Sequence, residues 1–345
     1  MKDLQDNLAN NVTKDISKNV FAGLTPEVII TLAEKGLGIR CTNLCRPLNS
    51  YINRVYELER QDHAGLVIKF YRPDRWSEKG LLDEHTFLLE LQALEIPVIA
   101  PLKMADGTTL GRYGRIFFAC FNKCGGRSYD EYSEEQWLEL GRLIGRVHAV
   151  GATHPPQERI TMAPGSSTRS QVDELLVGKF IPNDLRPEFA QLTEALITEI
   201  SPLFDHTRMI RIHGDCHFSN LIYLPGKFFY IIDFDDMAVG PPVQDFWMLL
   251  PGLIQDSRLE IELFLEGYET FMDFDRLSLR LIEPLRAMRY IHYIAWCAHQ
   301  FSCDGVSRAA TNFGSRAYWQ QELADLADQL ERIKCAPQQG GNFNT

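Results

Sequence analysis

A short segment of the sequence combines residue types that carry chemistry. The stretch IRIHGDCHFSNLIY places His213, Asp215, His217 and Asn220 close together between two hydrophobic runs. A second acidic cluster, FYIIDFDD, delivers Asp233 at the end of another apolar run. Side chains of these types could bind a metal ion, transfer protons or stabilise a loop through hydrogen bonds.

The order of these residues favours phosphoryl transfer. The sequence between Asn220 and Asp233 predicts a β-hairpin that turns at Pro225-Gly226, so both residues are expected at neighbouring ends of one small sheet. In this reaction one carboxylate orients the attacking hydroxyl and accepts its proton, while an amide oxygen and a second carboxylate hold Mg²⁺ against the nucleotide phosphates. We therefore interpret Asp215 as the candidate base and the other two as candidate metal ligands.

Two other interpretations compete with catalysis. Asp, Asn and His are common turn formers, so each of them alone is typical of a structural loop. His213, Cys216 and His217 could bind zinc, but Gly214-Asp215 interrupts any helix, so the two histidines would not share one face. We favour the catalytic loop over zinc. His213 is interpreted as a support of the loop backbone, and His217 stays open between a loop brace and a substrate contact.

The elements that must position this loop change character near residue 124. Thr25-Pro26 predicts the start of a helix. The segments IRCTNLCRPL, RVYELER, GLVIKFYRP, VIAPLKM and RIFFACF then predict strands, with SEKGLLDEHTFLLELQAL as a helix before the last two. After the pair Gly125-Gly126, which suits a hinge, helices dominate, among them SEEQWLELGRLIGRVHAVG and VQDFWMLLPGLI, and three short strands flank the site segment. The pattern indicates an α+β protein.

Composition restricts the partners and the compartment. The 345 residues are 45% hydrophobic and carry a net charge of −11, which disfavours nucleic acid as a partner. The N-terminal segment MKDLQDNLANNVTKDISKNV has no apolar signal sequence, and no apolar run reaches the length of a transmembrane helix. We expect a cytoplasmic protein without membrane spans. Its cysteines, including the C-x3-C pairs Cys41/Cys45 and Cys120/Cys124, are expected to be reduced and free of metal.

The paired motifs carry a family resemblance. HGDCHFSNLI followed by IIDFDD resembles the signature H-G-D-x-H-x-x-N…I-D-[FWL]-[DE] of aminoglycoside phosphotransferase and choline kinase-like enzymes, relatives of the eukaryotic protein kinases. LNSYINRVYEL, VIKFYRPDRWS, DEHTFLLEL and GPPVQDFWMLL further resemble the narrower stress response kinase A family. This resemblance implies a bilobal protein kinase-like fold with an antiparallel β-sheet N-lobe and a mainly helical C-lobe. It also implies Ser/Thr protein kinase activity, ATP and Mg²⁺ as cofactors, and a role in surviving stress.

The resemblance also implies roles in the N-terminal half. In kinase-like folds a strand lysine holds the α- and β-phosphates and pairs with a helix glutamate, and Lys69 and Glu84 resemble this pair. A lysine that solubilises an edge strand is the alternative. The sequence departs from the glycine-rich loop, because PLNSYINR stands where G-x-G-x-x-G is expected. Asn49, Ser50 and Asn53 can donate hydrogen bonds there, and Ser50 resembles the ATP-contacting serine of the family; an ordinary hairpin turn is the alternative.

Three further acidic residues receive supporting roles. Asp245 opens the helix DFWMLL, where capping alone favours an acid, and the resemblance implies that it braces the catalytic loop. For Asp235 and Asp236 we favour a solvated surface position, with help to a second metal ion as the alternative.

The sequence divides into four predicted segments. They are an N-terminal extension (1–24), an N-lobe that clamps the nucleotide (25–122), a catalytic and substrate C-lobe (123–334) and a disordered tail (335–345). Adenine is expected beneath the hinge, near residues 121–124.

The predicted function is an ATP- and Mg²⁺-dependent phosphotransferase. Its site residues are Asp215 and Asp233 for catalysis, Asn220 and Asp233 for the metal, and Ser50, Lys69 and Glu84 for ATP. The predicted acceptor is a Ser/Thr hydroxyl of a protein. The alternatives are a small-molecule alcohol of the homoserine, choline or aminoglycoside type, or a nucleotide-binding regulator without catalysis.

Overall fold

The structure is a computed structural model that describes residues 20–129, 131–224 and 228–335. Most of the predicted disordered tail (336–345), most of the predicted N-terminal extension and the predicted turn at Pro225-Gly226 lie outside these ranges; Cys335, the first residue of the predicted tail, is helical. Among the described helices, none combines the length and the apolar character that a membrane crossing requires.

An antiparallel sheet forms the N-terminal lobe. Helix α1 (Pro26–Leu37) begins after Thr25, whose hydroxyl accepts a hydrogen bond from the amide of Val28, as predicted. The sheet that the structure describes has the order β1-β2-β3-β5-β4. Its strands are β1 (Cys41–Leu48), β2 (Arg54–Arg60), β3 (Gly65–Phe70), β4 (Gly111–Tyr113) and β5 (Ile116–Asn122).

The register of the sheet places Lys69 at its centre. Lys69 of β3 lies opposite Val55 of β2 and Ala119 of β5. Only 8% of Lys69 is exposed. The alternative of a solubilising lysine on an edge strand is therefore wrong.

The prediction of a strand at VIAPLKM is also wrong. This segment makes single bridges, from Val98 to Ile231 and from Pro101 to Phe121, and does not join the sheet as a strand. Proline has no N–H to donate to a ladder, so Pro97 and Pro101 limit regular pairing here. The short strand β4 takes the edge position instead.

Helices make up most of the C-terminal lobe. Helix α2 (Glu78–Ala93), capped by Ser77, precedes the lobe. The lobe contains α3 (Glu134–Gly151), α4 (Arg169–Val177), α5 (Arg186–Ile200), α6 (Val243–Trp247), α7 (Arg258–Tyr268), α8 (Ile282–Asp304) and α9 (Arg316–Cys335). The capping box predicted at Ser133 and Gln136 is present at the start of α3. The helix predicted over VQDFWMLLPGLI ends early, at Trp247, and helix α4 had not been predicted.

Two antiparallel strand pairs lie among these helices. Strand β6 (Ile210–Ile212) pairs with β9 (Ala238–Gly240), and β7 (Leu221–Tyr223) pairs with β8 (Phe229–Ile231). The hairpin predicted between the two motif segments is therefore confirmed in its strands. The site segment connects one pair to the other.

The hydrophobic interior divides into a small and a large core. Side chains of α1 and the N-lobe sheet, such as Ile29 and Ile68, form the small core. Buried side chains of α3–α9 form the large one, which also contains Phe87, Leu88 and Leu91 of α2. Helix α2 thus buries its apolar face against the C-lobe, although it lies within the predicted N-lobe segment. The residue boundaries of the segments stay a prediction.

Candidate active site

The loop that carries Asp215 is held by buried hydrogen bonds to its backbone. Asp245 of α6 accepts hydrogen bonds from the amides of His213 (2.6 Å) and Gly214 (2.8 Å). His148 of α3 contacts the same carboxylate at 3.0 Å, and both side chains are fully buried. The predicted role of Asp245 as a brace of the loop backbone is confirmed.

The imidazole of His213 links this loop to the second acidic cluster. Its Nε2 lies 2.8 Å from the carbonyl oxygen of Ile232, and its Nδ1 lies 3.2 Å from the amide of Asp215. Since the carbonyl can only accept and the amide can only donate, the proton of the ring is on Nε2. The predicted structural role of His213 is confirmed, because it fixes the loop against the residue that precedes Asp233.

Gly214 adopts a backbone conformation that is energetically unfavourable for residues other than glycine. Its φ is 84°, in the left-handed region. A Cβ atom at this position would lie 2.3 Å from the carbonyl oxygen of Asp236. The close approach of these two backbone segments therefore requires glycine.

The strand pair β7–β8 brings Asn220 next to the second acidic cluster. Leu221 lies opposite Ile231, and the amide of Ile232 donates to the carbonyl of Asn220 at 3.0 Å. The side-chain Nδ2 of Asn220 donates to the backbone carbonyl of Asp215 at 2.9 Å. These contacts connect the loop of Asp215, the side chain of Asn220 and the residue before Asp233.

Asp233 itself has a strained backbone. Its φ is 60° and its ψ is 62°, a left-handed conformation that costs a residue other than glycine on the order of 1 kcal/mol. Its side chain is 54% exposed, and Oδ1 lies 2.9 Å from Nζ of Lys69. The strain turns the carboxylate out of the strand direction and towards the N-lobe lysine.

The ammonium of Lys69 lies among three carboxylates. Its Nζ is 2.9 Å from Asp233, 3.2 Å from Asp235 and 3.9 Å from Glu84. Burial alone would lower the pKa of Lys69, but the three carboxylates outweigh it and hold the pKa well above its ordinary value. Lys69 is therefore a fixed cation at the boundary between the lobes.

Glu84 has a second cationic partner that the sequence did not indicate. Its Oε2 accepts a hydrogen bond from Nη2 of Arg159 at 3.0 Å, which is shorter than its distance to Lys69. Arg159 also donates to the carbonyls of Gly80 (2.7 Å) and Asp235 (2.6 Å). Burial raises the pKa of Glu84. Arg159 thus connects helix α2 to the backbone of the acidic cluster.

The prediction of a solvated surface position is wrong for Asp235. Only 5% of Asp235 is exposed, and its carboxylate contacts Arg75, Asn53 and Lys69. Burial would raise its pKa, but Arg75 and Lys69 outweigh this effect and hold the pKa well below the usual range. Asp236 also contacts Arg75, at 2.6 Å, and is half-buried. Both carboxylates therefore join the N-lobe to the C-lobe.

The turn between β1 and β2 closes over this region. Asn53 donates through Nδ2 to Asp235 (3.1 Å) and accepts the amide of Arg72 (3.0 Å) through Oδ1, so its side chain is occupied within the protein. Ser50 is half-buried in the same turn. Its contact with ATP stays a prediction.

Asp215 has a nitrogen-bearing side chain next to each of its carboxylate oxygens. Nη2 of Arg289, on α8, lies 2.6 Å from Oδ1, and Nε2 of His217 lies 3.5 Å from Oδ2. Burial would raise the pKa of Asp215, but His217 and Arg289 lower it to about 2. The carboxylate is therefore ionised near neutral pH, as a proton acceptor must be.

These side chains fit a hard divalent cation. Asn220 uses Nδ2 towards Asp215, which leaves Oδ1 as the atom available to a metal ion. Asp233 supplies a half-exposed carboxylate that faces a lysine. Amide and carboxylate oxygens are the ligands that Mg²⁺ prefers, and a nearby lysine suits phosphate oxygens.

Comparison with known proteins places this geometry in a family. A family model described as "Phosphotransferase enzyme family" (APH) matches residues 44–282, which is more than half of the chain. This chain belongs to the phosphotransferase enzyme family.

Relatives agree over nearly the full length. Stress response kinase A of Escherichia coli (strain K12) is 35% identical over 321 residues, covering 92% of this chain and 96% of the relative. A protein of Salmonella typhimurium (strain LT2) named "Serine/threonine protein kinase RdoA" is 35% identical over 323 residues, with the same coverage. The resemblance to the stress response kinase A family is confirmed.

Solved structures agree with the fold. Amicoumacin kinase hAmiN, in complex with AMP-PNP, Ca2+ and Ami, has a TM-score of 0.70 and 19% sequence identity, and the match covers 91% of this chain and 95% of that one. The predicted bilobal α+β fold of the kinase-like type is confirmed, and the chain is a phosphotransferase.

Sequence reasoning missed several side chains of the site. Arg75, Arg159 and Arg289 lie in three separate segments, and no local spacing connects any of them to Asp215 or Asp233. One local signal was available. The segment VIKFYRPDRWS contributed to the family resemblance, but no role was predicted for its arginine, Arg75.

Proposed function

We propose that this chain transfers the γ-phosphoryl group of ATP, with Mg²⁺, to a serine or threonine hydroxyl of a protein. One observation carries the proposal. His213 and Asn220 tie the loop of Asp215 to the residue before Asp233, and Lys69 of the other lobe lies 2.9 Å from Asp233. The protein acceptor is proposed because a relative that matches 92% of this chain is named a serine/threonine protein kinase.

The proposed roles follow from the chemistry of each side chain. Asp215 orients the acceptor hydroxyl and accepts its proton. Lys69 neutralises charge on the nucleotide phosphates, and Arg159 holds Glu84 beside it. Ser50 contacts ATP from the turn between β1 and β2. When bound to Asn220 and Asp233, Mg²⁺ supplies positive charge next to the phosphate oxygens.

The proposed reaction is a single displacement. The acceptor oxygen forms a bond to the γ-phosphorus while the bond from that phosphorus to the bridging oxygen of ADP breaks. The hydroxyl proton goes to the carboxylate of Asp215, and ADP leaves with the electron pair of the broken bond. His217 and Arg289 hold the pKa of Asp215 below its ordinary value in the free protein.

Labelled ATP tests this function directly. The full chain is incubated with γ-labelled ATP, with Mg²⁺ or with excess EDTA, in the presence of protein acceptors, choline, homoserine and an aminoglycoside. We expect Mg²⁺-dependent label on serine or threonine of protein, including this chain itself, and none with Asp215→Ala. Label on a small-molecule alcohol alone would overturn the protein acceptor, and the absence of any transfer would overturn the function.

Location, biological role and segment boundaries belong to the same proposal. We place the reaction in a response to stress, as the names of the relatives suggest, and in the cytoplasm. The segments 25–122 and 123–334 are proposed as the nucleotide clamp and the catalytic lobe, with adenine near residues 121–124.

A further inference from the structure

The catalytic carboxylate is in contact with a cation from a helix outside the motif. Nη2 of Arg289 lies 2.6 Å from Oδ1 of Asp215, and this oxygen is buried. The side chain of Arg289 remains 30% exposed. Arg289 therefore lies next to Oδ1, whereas the other oxygen, Oδ2, lies 3.5 Å from Nε2 of His217.

Arg289 belongs to a stripe of functional groups on one face of α8. His292 and Trp296 follow it at helical spacing, so the three side chains line the same side of the helix. Trp296 packs edge-on against Tyr51, with ring centroids 5.7 Å apart, and Tyr51 in the turn between β1 and β2 is 56% exposed. The turn between β1 and β2 therefore contacts α8 on the side of the helix that carries Arg289.

Two acidic side chains of the surrounding segments have cationic partners of their own. Asp236 is paired with Arg75 at 2.6 Å. Glu283, at the start of α8, is paired with Arg286 at 3.4 Å. Of the three arginines in these pairs, Arg289 is the one that contacts the proposed base, Asp215.

We propose that Arg289 selects the acceptor by charge, favouring serine or threonine residues flanked by acidic side chains in a protein segment. This inference rests on the proposed function, since it assigns the acceptor class of the same site. A carboxylate next to the acceptor hydroxyl gains a charge-assisted hydrogen bond to Arg289. A cationic acceptor meets a like charge and is disfavoured. The aromatic side chains of Tyr51 and Trp296 provide apolar surface for the neighbouring part of the segment.

A positional peptide library provides the measurement. Each peptide has one central serine or threonine, and each flanking position is fixed in turn as Asp, Glu, Lys or Arg. The full chain is assayed with labelled ATP and Mg²⁺, and choline and an aminoglycoside are assayed in parallel. We expect the rate with an acidic residue to exceed the rate with a basic one by about tenfold at one or more flanking positions.

Variants of Arg289 assign this preference to the residue. Arg289→Gln should remove the preference and Arg289→Glu should invert it, whereas Arg289→Lys should keep its sign. These changes in rank order among peptides distinguish charge selection from a general loss of activity. Arg316→Gln removes an exposed arginine paired with Asp184, in the turn before α5, and serves as the control that keeps the wild-type preference.

The outcomes distinguish a failure of the proposed role of Arg289 from a failure of the proposed phosphotransferase function. A preference that survives in Arg289→Gln, a preference for basic peptides, or transfer to the cationic small molecules alone would overturn the role of Arg289. Self-phosphorylation or ATP hydrolysis without transfer to any peptide would also count against it while leaving a working phosphotransferase. Absence of all nucleotide turnover in the wild type would instead defeat the proposed function.

Discussion

The ammonium of Lys69 lies 2.9 Å from Asp233 and 3.9 Å from Glu84, so the lysine of the N-lobe pairs most closely with the proposed metal ligand. In the free protein this ion pair occupies the place where phosphates and a metal ion are proposed to meet. Binding of the nucleotide with Mg²⁺ therefore has to replace a contact between the lobes.

Lys69→Met removes the cation from this cluster of carboxylates. We expect phosphoryl transfer to fall by about 100-fold or more, as when a preorganised electrostatic group is lost. The free energy of unfolding should fall by about 3 kcal/mol, because Glu84 and Asp235 are left buried without it. Labelled ATP and urea unfolding give the two values. Lys79→Met removes an exposed partner of Glu158 and is the control; a Lys69→Met protein with wild-type transfer would contradict the role.

Arg159→Met tests the buried arginine that connects α2 to the acidic cluster. Its guanidinium pairs with Glu84 and donates to two carbonyls in the interior. We expect a loss of roughly 3 kcal/mol in the free energy of unfolding. The matched variant Arg169→Met loses an exposed pair with Glu194 and should cost about 1 kcal/mol or less. Equal effects of the two changes would show that Arg159 is not a structural link.

Gly214→Ala tests the close backbone approach beneath the loop that carries Asp215. The added Cβ would lie 2.3 Å from the carbonyl oxygen of Asp236 at a left-handed φ, so the loop has to shift. A displacement on the order of 1 Å in a reacting group can lower the rate by about 100-fold. We expect a fall in kcat of this size. Gly165→Ala, where a Cβ meets open space, should leave kcat unchanged; equal kcat values for the two variants would refute the constraint.

His85 should make the stability of the protein depend on pH. It is buried between Tyr71 and Thr109, and burial lowers its pKa from 6.5 to about 3. Below pH 6.5 the unfolded chain binds a proton that the folded chain does not, so stability falls as the pH drops from about 6.5 towards 3.

The predicted slope is about 1.4 kcal/mol per pH unit from this residue alone. Urea unfolding at several pH values between 7 and 5 measures it. His85→Gln should reduce the slope of the unfolding free energy against pH by this amount, whatever its effect on stability at pH 7. Identical slopes in the two proteins would show that His85 has the same pKa in the folded and the unfolded chain.

Local sequence signals predicted the elements that position the site. The capping residues Thr25 and Ser133 marked helix starts that the structure contains, and the apolar runs around Asn220 and Asp233 predicted the strand pair between them. Such signals act within a few residues, so they can be read from one sequence.

Contacts between distant segments could not be predicted in the same way. Asp235 follows a strand and belongs to an acidic run, which is typical of a solvated surface, yet Arg75 and Asn53 from the other lobe bury it. Arg289 lies on a helix whose pattern indicates packing only. Their positions depend on how the lobes meet, and tertiary packing of this kind leaves no local pattern.

The role of Asp215 is the central claim, and Asp215→Asn tests it most directly. The change keeps the shape of the side chain and removes its ability to accept a proton. Transfer from γ-labelled ATP is measured under single-turnover conditions, with nucleotide binding measured separately and Asp184→Asn, at an exposed carboxylate, as the control. We predict that the rate of transfer falls by about 100-fold or more while binding of ATP and Mg²⁺ is retained. Transfer by Asp215→Asn at the wild-type rate would contradict the account.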